Sequence, residues 1–203
     1  MVFITASKNK KKIAELNRIL IPLGIEAKTE NELGVTIPEV DEDGVTFAEN
    51  AKLKAVSAMK ATGLPAVADD SGLCVDALNG APGVYSARYG GENTNDKINN
   101  NKLLSELSDV TANERTARFV SAVCVAFPNG DFIEANGSVE GVIGFAPSGE
   151  GGFGYDPLFF VGDKSFAQLS NEEKELEINS TEEVVQEEQK ETYKEINKLN
   201  ELN

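Results

Sequence analysis

The chain has 203 residues, 40% of them hydrophobic and 26% charged, which suits one globular domain able to bury roughly 70% of its unfolded surface without a disulfide or structural metal. Its formal net charge is −15, and between Ser170 and Asn203 eleven acidic residues face four lysines, so duplex DNA or RNA is repelled and no nucleic-acid partner is expected. Histidine is absent, which excludes Ser-His and Cys-His nucleophiles and His-ligated zinc.

In chain order, "MVFIT" reads as a buried strand, and "ASKNKKK" leads into a helix with Ile13, Leu16, Leu20 and Leu23 at helical spacing. "GVTIPEVDEDG" is a polar, acidic loop. "TFAENAKLKAVSAMKATG" opens with the capping pair Thr46 and Glu49 and closes at Gly63. "LPAVA" is a second short strand that is expected to end at Asp69-Asp70, and "TNDKINNNKLLSEL" is a helix from near Thr94. "TARFVSAVCVAF", "PNGD" and "FIEANGSVEGVIG" spell a hairpin. "PSGEGGFGYDPLFF" is a glycine-rich loop entering a strand, and Ser170 with Glu173 forms another capping box. A last amphipathic helix is expected over about 184–202. The fold class is mixed α/β. Cys74 and Cys124, in strand-like runs, are expected to be reduced core residues. No apolar run approaches the roughly 18 residues that span a bilayer, so a soluble, cytoplasmic protein without a membrane partner is expected.

Three stretches carry chemistry. Ser7, Lys8, Asn9, Lys10, Lys11 and Lys12 crowd a strand-to-helix turn with cations, where free backbone N–H groups suit phosphate. The plain alternative is a solvated lysine run, and the glycine framework of a P-loop is missing. Glu39, Glu42, Asp69 and Asp70 supply oxygen ligands, and Mg²⁺ needs only one or two carboxylates beside water and substrate phosphates. Alternation along an extended backbone sends Asp69 and Asp70 to opposite faces, one free to hold metal and the other to take a proton from water. An exposed acidic turn is the alternative. In "GGFGYDP", glycines admit a ligand close to the backbone while Phe153 and Tyr155 offer flat faces to a base; core aromatics at a strand entry are the alternative. Jointly, a phosphate grip, metal carboxylates and an aromatic platform match a nucleoside triphosphate.

"TASKNKKKIAEL", "GVTFAENAKLKA", "VADDSGLCVDALNGAPGVYSARYGG" and "GGFGYDPLFF" together resemble the inosine/xanthosine triphosphate pyrophosphatases, from the first residues to about Lys174. The resemblance implies an elongated, two-lobed mixed β-sheet with flanking helices and a central substrate cleft, formed by one catalytic domain over 1–203 and assembled as a homodimer. It implies Mg²⁺-dependent hydrolysis of non-standard purine nucleoside triphosphates to monophosphate and pyrophosphate. Ser7 to Lys12 resemble the triphosphate-binding turn. Glu39, Asp69 and Asp70 resemble metal carboxylates, and Glu42 is a weaker candidate. Asp70 matches the proton acceptor and Ser71 a substrate-contacting serine. Phe153, Gly154, Tyr155 and Asp156 match the segment flanking the base, and Lys174 a nucleotide-contacting lysine.

One departure stands out. The family follows that lysine with a Ser-His-Arg segment that reads the 6-oxo group, whereas here "ELEINSTEEVVQ" follows, and no arginine occurs beyond Arg118. Asn179 or Ser180 offers only a neutral donor, without the charged fork of arginine. A broad nucleoside triphosphate pyrophosphatase and a nucleotide-binding protein with weak catalysis are therefore the alternatives.

Overall fold

The computed structural model describes residues 1–7, 9–92 and 94–174, and Lys11 by its backbone alone. The chain falls into two compact units: Met1–Asp70 with Ser121–Asn136, and Ser71–Val120 with the described residues from Gly137 on. One seven-stranded sheet runs in the order β2-β1-β3-β4-β5-β6-β7. The mixed α/β class read from the sequence is what the structure shows.

In the first unit, β1 (Val2–Thr5) pairs in parallel with β2 (Glu26–Lys28), Val2 opposite Glu26, and with β3 (Ala66–Val75), Ile4 opposite Ala66. Parallel neighbours need crossover connections, which α1 (Lys10–Leu20) and α3 (Phe47–Thr62) supply. Ile4 of β1, Ala58 of α3 and Ala66 of β3 close a small core, and Ala at the helix position lets the two backbones approach. α3 begins and ends as its sequence demands: Thr46 Oγ1 accepts from Glu49 N–H, Glu49 answers at the Thr46 N–H, and Gly63 adopts φ +68°.

Two elements of the first unit escape the periodicity reading. β2 has three residues and α2 (Glu30–Leu33) four, too few for any period to register, although Thr29 and Glu32 form a capping box that the spacing alone could have revealed. A further difference matters for the site. β3 does not stop at the aspartate pair; it continues through Asp69, Asp70, Ser71 and Gly72 to Val75. Local turn chemistry at "DDSG" yields to β3's position between β1 and β4 in the sheet.

In the second unit, α4 (Asp96–Glu106) starts one residue beyond its cap, Asn95, whose Oδ1 accepts from Ile98 N–H. β4 (Thr116–Ala126) and β5 (Phe132–Ile143), each with residues in both units, are the expected hairpin strands, and β6 (Phe159–Val161) and β7 (Lys164–Ser165) follow antiparallel. Leu73, Val75, Leu103, Leu107, Ile143, Leu158 and Phe159 form its core. Arg115 is buried beside them, its guanidinium donating to the carbonyls of Leu107, Ile143 and Gly144. The Ser170–Glu173 capping box forms as expected; the helix expected over about 184–202 lies outside the described residues. Among the described residues no helix is long and apolar enough to cross a membrane.

Candidate functional site

The first cluster lies in the first unit. β1 delivers the chain to a tight bend in which Ser7 N–H donates to Thr5 Oγ1 and Asn9 N–H donates to Ser7 Oγ. Asn9 then caps α1, its Oδ1 accepting from Lys12 N–H at 3.5 Å. The first turn of α1 carries no acid, and lysines stand where the helix dipole disfavours cations. Such a local conflict between sequence and structure is typical of a binding site. Lys10 is exposed; Lys8 and the side chain of Lys11 lie outside the described residues. Lys12 turns inward and its Nζ lies 2.6 Å from Asp69 Oδ2.

Alternation along β3 separates the aspartates, and their partners come from different helices. Asp69 meets Lys12 of α1; Asp70 meets Asn50 Nδ2 at 3.2 Å and Lys54 Nζ at 3.1 Å, both from α3. Asn50 and Lys54 share a helix face because they are four residues apart. Lys54 Nζ also reaches Glu42 Oε2 at 3.3 Å, and the fully buried Asn50 accepts from Gly44 N–H, which ties the acidic loop to the aspartate. Burial raises the Asp70 carboxyl above its ordinary value of 3.8; Lys54 and the Asn50 hydrogen bond oppose that rise, and Glu42 adds to it. Asp70 is thus a stronger base than a solvated aspartate.

Neither Asn50 nor Lys54 stands out in the sequence reading. The capping box at Thr46 sets the register of α3, and the four-residue spacing within "ENAKLKA" was the available signal. The acid joined to Asp70 through a shared lysine is Glu42, whereas Glu39 is exposed on the same loop. Among the described residues no three Asp, Glu or Cys side chains converge. The donors are all hard oxygens, and a cation that takes one or two carboxylates and fills its shell with water and phosphate fits them. The two lysines stand where such a cation would supply positive charge.

The second cluster belongs to the second unit. Gly152 adopts φ +74°, and a Cβ there would meet Asp156 Oδ2 at 2.0 Å, so the loop closes tightly over that carboxylate. Asp156 Oδ2 accepts from Phe153 N–H at 3.2 Å and from Lys174 Nζ at 2.9 Å, which brings together three of the residues singled out in the sequence. Tyr155 departs from its expected role as a platform. Its ring is buried in the core and its hydroxyl donates to Ser86 O at 2.9 Å, so the core-aromatic alternative describes it, and the half-buried Phe153 is the face that remains. Ser71 is half-buried on β3.

Comparison with known proteins identifies the family. The sequence model of the Ham1 family matches residues 3–179. A dITP/XTP pyrophosphatase of Desulforamulus reducens is 52% identical over 177 residues, covering 86% of this chain and 87% of its own. One from Thermus thermophilus is 51% identical over 176 residues, covering 86% and 84%. The Ham1 protein of Staphylococcus aureus superimposes with a TM-score of 0.78 at 41% identity, over 89% of this chain and 93% of that one. For a HAM1 protein of Coxiella burnetii the TM-score is 0.81 at 37% identity, over 95% and 98%. With the lysine bend, the paired aspartates and the glycine-aromatic loop all inside the matched region, this chain belongs to the Ham1 family.

Proposed function

We infer that this protein is a nucleoside triphosphate pyrophosphatase that hydrolyses non-standard purine nucleotides, the inosine and xanthosine triphosphates and their deoxy forms, to monophosphate and pyrophosphate. The observation that carries this reading is the meeting of Lys12 with Asp69 beside the buried Asp70, inside a region about 50% identical to named dITP/XTP pyrophosphatases.

Each group has a task that its surroundings suit. Ser7 to Lys12 hold the triphosphate with lysine ammonium groups and the positive end of the α1 dipole. Asp70 orients the attacking water and accepts its proton; burial raises its basicity toward that task, and Lys54 opposes that rise by favouring the ionised carboxylate. Asp69 and an acid of the 35–44 loop, Glu39 or Glu42, would hold Mg²⁺, which when bound supplies charge stabilisation on the departing pyrophosphate. Lys12 pairs with Asp69 in this structure, and a phosphate oxygen could take the place of that carboxylate, whereas Lys54 stays paired with Asp70 and Glu42. Ser71 contacts the substrate, and Phe153, Gly154 and Asp156 with Lys174 flank the purine.

Assay of inosine, xanthosine, guanosine and adenosine triphosphates with and without Mg²⁺ tests this reading. Magnesium-dependent release of pyrophosphate from the first two is expected, and an Asp70→Asn variant should lose about 10²- to 10⁴-fold in turnover while still binding nucleotide. Release of orthophosphate, or undiminished turnover in that variant, would overturn it.

One observation favours a second reading in which base selection is relaxed. The family match ends at residue 179, and the sequence from Glu175 to Gln186 holds neither histidine nor arginine. Comparable turnover of guanosine or adenosine triphosphate in the same panel would establish it. The reading also carries a homodimer in the cytoplasm, and sedimentation that shows only monomer would withdraw the dimer.

A further inference from the structure

Helix α4 directs three polar side chains at loops of its own unit. Asp96 and Asn100 are four residues apart and so share a face. Both close on one residue of the glycine-aromatic loop: Gly154 N–H donates to Asp96 Oδ2 at 2.7 Å, and Gly154 O accepts from Asn100 Nδ2 at 3.1 Å. The donor and the acceptor of a single residue are thereby held as a neighbouring strand would hold them, here by two side chains of one helix. Gly154 sits at φ +60°, a conformation other residues adopt at a cost, so the clamp grips a backbone shape that needs glycine. Asn99, between them, donates to Ser86 O and Ala87 O, and Ser86 O also receives the Tyr155 hydroxyl. Residues on both sides of the Gly154–Tyr155 peptide are thus fastened by groups that trace back to α4.

Asn100 pays for its place. Its Oδ1 is buried without a hydrogen-bond partner among the described residues. Turning the amide over would set that oxygen against Gly154 O, acceptor facing acceptor, so the orientation is determined by the donor bond. A leucine of similar size would fill the same space with no orphaned acceptor. What asparagine provides and leucine lacks is the bond to Gly154.

We propose that Asp96 and Asn100 are positioning residues for base selection: by clamping the Gly154 peptide they hold Phe153 and the Asp156–Lys174 pair in the arrangement that receives the purine. This rests on the reading that Phe153, Gly154 and Asp156 flank the base. It assigns a larger share of discrimination to loop geometry in a chain whose sequence lacks the histidine and arginine that otherwise follow the lysine.

The test uses the full chain and three variants, Asn100→Leu, Asp96→Ala and Asp96→Asn. In Asn100→Leu and Asp96→Ala, hydrogen exchange at the Gly154 amide should accelerate and KM for inosine triphosphate should rise, each by on the order of tenfold, the worth of one hydrogen bond to a charged or buried group. Turnover at saturation should stay within about twofold because neither residue touches the reacting phosphorus, and the preference for inosine over guanosine triphosphate should shrink. Asp96→Asn keeps an acceptor for the Gly154 N–H and should restore all three. Asp96 is exposed, so its variants remain informative should Asn100→Leu fail to fold. Faster exchange with unmoved KM and unmoved preference would make the clamp merely structural, and unmoved exchange would remove the clamp. Wild-type protein that turns over no purine triphosphate would overturn the functional reading and the base-selection role with it, whereas a normal wild type with unmoved variants overturns the clamp alone.

Discussion

Lys12 Nζ and Asp69 Oδ2 lie 2.6 Å apart although 57 residues separate them in the chain. That single contact joins the cationic bend after β1 to the aspartate pair on β3, and both side chains are mostly shielded from water, where an ion pair is held more firmly than at the surface. A lysine at this position has two partners in prospect, the carboxylate it touches and a phosphate that would replace it.

The first prediction follows from that exchange. Lys12→Met should raise KM for inosine triphosphate about 10- to 100-fold, the worth of one charge-assisted bond of about 1.5–3 kcal/mol, with a smaller change in kcat. Steady-state kinetics in saturating Mg²⁺ measure it. An unchanged KM would take Lys12 out of the phosphate grip.

A second prediction concerns pH. Asp70 titrates above the ordinary 3.8 because burial disfavours its charge, and Lys54 opposes that shift. A base must be ionised to act, so kcat/KM should climb as pH rises through the Asp70 value. Lys54→Met removes the opposing cation, raises that value further and should move the acid limb of the profile to higher pH. Stability carries the same sign. A carboxyl raised by folding binds its proton more tightly in the native state, so its contribution is fullest below pH 3.8 and declines as pH rises through the folded value. An acid limb that stays in place in Lys54→Met would show that Lys54 does not tune Asp70.

The cap of α3 supports the site from a distance. Thr46→Ala deletes the acceptor for Glu49 N–H and should cost about 1 kcal/mol, or roughly 2–4 °C in melting temperature for a chain of this size. Because α3 carries Asn50 and Lys54, calorimetry and the pH profile of this variant should move together; a lowered melting point with an unmoved profile would separate the cap from the site.

The two cysteines should be inert. Burial pushes the Cys124 thiol up to about 11 and also raises Cys74, so the thiolate that reacts is scarce at neutral pH. An aromatic disulfide reagent should label the native protein slowly and take up two equivalents after denaturation, matching the two cysteines in the chain. Prompt labelling of both thiols in the folded protein would contradict the burial of Cys124 and the raised thiol of the half-buried Cys74.

Long elements and strong caps were legible from residues alone. The Thr46–Glu49 box and Gly63 bracket α3 correctly, and "PNGD" between two apolar runs marks the β4–β5 hairpin. β2 and α2 were missed because three or four residues hold no period, and the end of the aspartate strand was misplaced because sheet neighbours, not local turn preference, extend β3 to Val75. Tyr155 shows the same limit, since an aromatic ring in a glycine-rich loop looks alike whether it faces a ligand or the core. Only packing sends it inward to Ser86.

The order of residues by itself determined the chemical repertoire: no histidine, hard oxygen ligands, lysines at a helix start, and alternation that splits Asp69 from Asp70. Which lysine meets which aspartate, that Asn50 and Lys54 of α3 complete the acid's surroundings, and that Glu42 shares Lys54 with Asp70 were decided by tertiary structure. The physical reason is that composition and local spacing set what each group can do, whereas burial and partner distance set whether it is charged. Those two quantities exist only once strands and helices distant in sequence have packed together.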